Sequence, residues 1–146
     1  MSNQEEQSNT TEPSSLIIEK PKYDKDELLT ILDELMFSGE YSEDVTINGR
    51  LKVAFKTRSA ASTSEITRSM DSQKFNLLST MMEQKALLCI SHSLIAYNGI
   101  DLSTKSHAER KQFVEKLPSV MVSAISNALV KFDLKTEAAL EETEAF

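Results

Sequence analysis

Cys89 and His92 stand three residues apart in the stretch LCISHS, a spacing that puts both side chains on one face of a helix. A thiol beside an imidazole is the pairing of a nucleophile with its base, or half of a zinc site. The other members of either set do not follow. His107, the second histidine, has no cysteine neighbour, and two ligands do not close a zinc site. The plainer reading is a buried thiol and a polar group at a helix contact. Ser91 and Ser93 flank His92, but adjacent helical positions point to different faces, so no Ser–His dyad is expected. Three scattered glycines make no phosphate-cradling loop. Glu141 and Glu142 lack the apolar pocket that tunes a carboxyl for acid–base work. No catalytic residue, metal or cofactor is expected, and the chain is not expected to be an enzyme.

What remains is binding chemistry. In TINGRLKVAFKTRSA, residues 46–60, Leu51, Val53 and Phe55 alternate with Arg50, Lys52, Lys56 and Arg58. Four cations and no acid are unusual in a chain of net charge −7. Alternating Lys and Arg on an edge strand protect against aggregation; they also suit an acidic partner. One acidic segment is the chain's own end, DLKTEAALEETEAF, where five acids face one lysine. Leu140 and Phe146 are apolar anchors there, so the stripe (Arg50, Lys52, Lys56, Arg58) and these two residues are the candidate partner-binding set. Met70, Met81, Met82 and Met121 have two readings, core filler or an adaptable surface for apolar peptides.

Several elements must position these residues. Asp24 and Glu27 form a capping-box pattern, with Tyr23 and Leu28 set for a hydrophobic staple. Leu28, Ile31, Leu32, Leu35 and Met36 then share one face up to Gly39. The basic stretch reads as a hairpin turning at Asn48-Gly49. A two-residue loop would mix apolar and charged groups on one side, so a three-residue loop with a bulge is expected, pairing Val45 and Ile47 with Leu51 and Val53. Leu51, Val53 and Phe55 then face the core and the four cations form one exposed stripe. Ser62 with Glu65 opens a long helix to about Tyr97, with a kink at Asp71-Ser72 and a stop at Asn98-Gly99. From Ala86 on it is apolar almost all round, so that part is expected at the centre of the fold. Ser106 with Glu109 caps a short helix, and Pro118 separates it from a last helix bearing Val120, Met121, Ala124, Ile125, Leu129 and Phe132.

The expected fold class is mainly α (α+β), a helical bundle with a small antiparallel β-hairpin at about 44–58. The expected organisation is a polar N-terminal arm over 1–22, disordered or partner-docked, a helical domain over 23–133 and an acidic tail over 134–146. Leu16 to Ile18 form a short β-prone run in that arm. The opening residues lack the basic and apolar regions of a secretory signal. Residues 86–97 are too short and polar for a membrane span, which needs ~20 apolar residues. A pI near 4.9 argues against a general nucleic-acid binder, and a lone cysteine excludes an internal disulfide.

The order of these features resembles the small tail-assembly chaperones and baseplate-hub assembly proteins of tailed bacteriophages, especially T-even-type and other myovirus-like phages. The segments that carry the resemblance are GRLKVAFKTRSA, then SLIAYNGIDL closing the long helix, then ERKQFVEKLPSVMVSAISNALVKF and an acidic end closing on Phe146. It covers residues 44–146. The resemblance implies a non-enzymatic protein of the infected host's cytoplasm that holds a tape-measure, hub or other tail protein soluble until the tail assembles. The alternative is a virion structural component, such as a neck, baseplate or tail-completion subunit, whose arms order on neighbours. A homo-oligomer is compatible with either.

Overall fold

The computed structural model describes residues 22–142. Among them lie five helices and one small antiparallel sheet, as the mainly α (α+β) class requires. In chain order these are α1 (Lys25–Ser38), β1 (Ser42–Ile47), β2 (Leu51–Lys56), α2 (Ala60–Asp71), α3 (Leu78–Ser93), β3 (Leu94–Tyr97), β4 (Ile100–Asp101), α4 (His107–Glu115) and α5 (Ser119–Glu141). The expected arm, with its Leu16 to Ile18 run, lies outside the described residues save for Lys22.

Helix α1 starts where the cap pattern puts it. The Asp24 carboxylate accepts from the Glu27 amide, and Gly39 ends the helix in the left-handed region, its N–H on the Leu35 carbonyl. Leu28 and Ile31 are buried, whereas Met36, expected on the same face, is 67% exposed. The hairpin has the expected register, with Val45 opposite Val53 and Ile47 opposite Leu51. Asn48 and Gly49 both take positive φ, and the Arg50 amide donates to the Ile47 carbonyl, which leaves Arg50 as the extra loop residue. Leu51, Val53 and Phe55 are buried.

The hairpin is half of a larger sheet, ordered β1-β2-β3-β4. Here the expected long helix over 62–97 is corrected. It is two helices, α2 and α3, and its last four residues are a strand. Helix α2 is capped by Ser59, whose hydroxyl accepts from the Ser62 amide, rather than by Ser62. The helix ends at Asp71, at the expected kink, and α3 begins only at Leu78. At Leu94 the backbone passes straight from helix to strand (φ −76°, ψ 117°). The β-branched and aromatic residues Ile95 and Tyr97 suit the strand, and β2 has an unpaired edge to receive it. Asn98 and Gly99, both at positive φ, form the β3–β4 turn and not a helix stop.

Two apolar clusters hold the elements. The larger joins Leu51, Val53 and Phe55 of the sheet to Ile90, Leu94, Leu102, Val114, Ile125, Leu129 and Phe132. The end of α3 is thus central, as expected, with Leu88 and Ile90 buried. The smaller sets Leu28 and Ile31 of α1 against Ala138 and Ala139 of α5, with Tyr23 packed beside them. Tyr41 belongs to both and stacks on Phe132 with ring centroids 6.0 Å apart. The tail boundary at 134 is therefore also corrected, because α5 runs unbroken to Glu141 and buries Ala138 and Ala139. No described helix is long and apolar enough to cross a membrane.

Candidate functional site

The four stripe cations do not share one fate. Arg50 and Lys52 are exposed, at the hairpin end. Lys56 is half-buried, its Nζ 3.9 Å from Glu40. Arg58 turns inward: its guanidinium donates to Asp133 Oδ2 at 2.6 Å and to Ser93 Oγ at 2.7 Å, with the Arg58 side chain 18% exposed. Both hydrogen bonds have the charged guanidinium as donor, and the one to Asp133 is also an ion pair. The single exposed stripe is thus reduced to Arg50 and Lys52. On the acidic segment, Leu140 is 53% exposed, and Phe146 lies outside the described residues. Lys135 of this segment is spent inside the fold, bonded to Glu43 at 2.7 Å and Glu27 at 3.4 Å. Burial opposes its charge, but the two carboxylates outweigh that and raise its pKa.

The four methionines divide between the two readings, and Met121 packs against the larger core cluster. Met70 of α2 and Met81 and Met82 of α3 line a groove that also takes in Ile66, Cys89, Leu129 and Val130. Its volume is about 650 Å³, the size of an ordinary ligand or peptide cleft. Met82 and Val130 are more than half exposed, and Leu77 and Leu78 at the start of α3 expose comparable apolar area. The Arg58–Asp133 pair stands among the lining residues. Cys89 opens into this groove and takes no part in a ligand cluster with His92.

The second feature is a buried polar knot at the end of α3, where Ser91, His92 and Ser93 are all buried. His107 at the start of α4 returns to stack on His92, centroids 3.7 Å apart and planes 20° apart. The Ser91 hydroxyl donates to the Leu88 carbonyl at 2.8 Å. Its oxygen also lies 2.8 Å from His107 Nε2, a hydrogen bond whose direction follows the imidazole tautomer. His107 Nδ1 lies 4.0 Å from Glu65 Oε1 of α2. His92 Nε2 is buried with no hydrogen-bond partner. Burial pushes the His92 pKa down to about 4, and the neighbouring His107 adds to the effect while Glu65 opposes it. Burial also lowers that of His107, again against Glu65, with Arg110 and Lys111 adding to the fall. Both imidazoles are neutral at pH 7.

Compared with family models, curated proteins and solved structures, the chain matches none.

The sequence put Cys89 and His92 on one helix face without making them a site, and the structure brings His107 and Glu65 to His92 instead. The missing signal is tertiary. His107 follows the β3–β4 hairpin, which doubles the chain back on α3, and that hairpin was hidden inside the expected helix.

Proposed function

We propose that this chain is a non-enzymatic assembly protein of a tailed bacteriophage, a chaperone that holds an apolar helical segment of a tape-measure or baseplate-hub protein. The observation that supports this most is the methionine-lined groove between α2, α3 and α5. Flexible thioethers adapt to varied apolar side chains, which suits a client held only until assembly. The exposed apolar residues Met82 and Val130 at its rim supply contact area. The resemblance of the sequence to phage tail-assembly proteins points the same way.

The test is co-expression with the tape-measure or hub protein of the same phage, comparing the native chain with Met82→Glu and Val130→Glu. Both positions are more than half exposed, so the variants are expected to fold, which far-UV circular dichroism checks. The expected result is a client that is soluble with the native chain and precipitates with either variant. A client equally soluble without the chain, or with both variants, overturns the reading. Recovery of the chain in purified particles at a fixed copy number assigns it instead as a structural subunit.

A further inference from the structure

We propose that Glu65, His92 and His107 form a binding site for a divalent transition-metal ion of the zinc class. One ligand atom from each lies within 4.8 Å of the others. The three come from three helices, α2, α3 and α4, so no local sequence motif brings them together.

Two observations point to a cation. The first is the outer partner of His107: Ser91 Oγ lies 2.8 Å from Nε2, which leaves Nδ1, 4.0 Å from a Glu65 carboxylate oxygen, as the ring nitrogen that faces the cluster. Metal-bound histidines characteristically donate their other ring N–H to an oxygen, which fixes ring and tautomer, and Ser91 occupies that role. The second is His92, whose Nε2 is buried and unpartnered. A buried polar nitrogen without a partner carries a desolvation penalty, and a coordinated ion removes it.

The donor set names the class. Two imidazoles and one carboxylate suit zinc and its late first-row neighbours, not magnesium or calcium. Ligand atoms around zinc at about 2.0–2.2 Å lie little more than about 3.4 Å apart, so the cluster closes by over an ångström on uptake. Glu65 is exposed and supplies part of that movement, and the two stacked imidazoles must part so that each meets the ion in its own ring plane, with Ser91 beside His107 Nε2. Three protein ligands leave a fourth position for water. The ion acts as a clip. Helix α2 has one buried residue, Ile66, and coordination would fasten it to α3 and α4.

The experiment uses the untagged full-length chain carrying Cys89→Ser, which removes the thiol as a rival ligand, after stripping with EDTA. Zn²⁺ binding is read by calorimetry, and Co²⁺ binding by visible absorption. The expected result is one ion per chain, with d–d bands for Co²⁺. Glu65→Gln, at an exposed position where no cavity arises, is expected to weaken Zn²⁺ by at least about 10–100-fold, the loss typical even of outer partners. Ser91→Ala is expected to weaken it about tenfold by freeing the His107 ring. Far-UV circular dichroism checks that each variant is folded. Absence of Zn²⁺ uptake at micromolar concentration overturns the proposal. So does an affinity unchanged in Glu65→Gln, which would place the ion on some other acidic surface.

Discussion

Arg58→Met separates a solvated cation from a structural one. Methionine keeps the apolar stem of the side chain and removes the guanidinium. The loss is two hydrogen bonds, at 2.6 Å to Asp133 and 2.7 Å to Ser93. A hydrogen bond to a charged group contributes about 1.5–3 kcal/mol. A fully buried carboxylate stripped of its partner costs about 3–5 kcal/mol. The Asp133 side chain is 29% exposed and regains some water, which removes the upper part of that range. The expected destabilisation is about 2–3 kcal/mol. Lys52→Met, at an exposed position, is expected to change stability by less than about 0.5 kcal/mol. Urea unfolding followed by circular dichroism reads both. With a slope of about 1.5 kcal/mol per molar, the Arg58→Met midpoint falls by about 1.3–2 M. Asp133→Asn and the double variant complete a cycle with an expected coupling of about 1–2 kcal/mol. A stability for Arg58→Met within about 0.5 kcal/mol of the native chain, or no coupling, would refute the inward ion pair.

Leu88→Ala, at the buried end of α3, is expected to cost about 2–5 kcal/mol, and an unchanged melting curve contradicts its place in the core. Truncation after Phe132 removes Ala138 and Ala139 from Leu28 and Ile31, so it is expected to lower stability and loosen α1; hydrogen exchange as slow as in the full chain across Lys25–Ser38 argues against that packing. In EDTA-treated protein, the neutral His92 makes stability depend on acid: the unfolded chain takes the proton near pH 6.5 and the folded one near 4. Stability is therefore full above about pH 6.5 and falls as the pH drops toward 4, with Glu65 moderating and His107, Arg110 and Arg58 reinforcing the effect. A flat urea midpoint between about pH 7 and 5, before the carboxylates titrate, counts against a neutral buried His92.

The hairpin was legible because strict alternation and Asn48-Gly49 leave one register in which Leu51 and Val53 both face inward. The Ser106–Glu109 capping box was legible because both of its hydrogen bonds are local, and both are present. Strand β3 was not, since Leu94 to Tyr97 continue an apolar run without a change of composition, and only pairing with β2 makes them extended. The last turns of α5 were misread for the opposite reason. Their acids look solvated, and the burying residues are alanines, which carry little signal. Arg58 keeps the alternation of its neighbours, yet its partner Asp133 is remote in sequence, so nothing nearby distinguishes it from Lys52. The knot of Ser91, His92 and His107 depended on the misread hairpin, and so stayed hidden with it.

The junction at Leu94, where α3 becomes β3 with no intervening loop, leaves no slack between the helical layer and the sheet. A rotation of α3 about its axis must twist β3, and β3 is bonded to β2 and β4 on either side. A roll of α3 is thus expected to reach the strand ladder directly, because no loop residue separates Ser93 from Leu94. The chain is geared: a roll of α3 is expected to be felt at Asn48 and Gly49, at the tip of the β1–β2 hairpin.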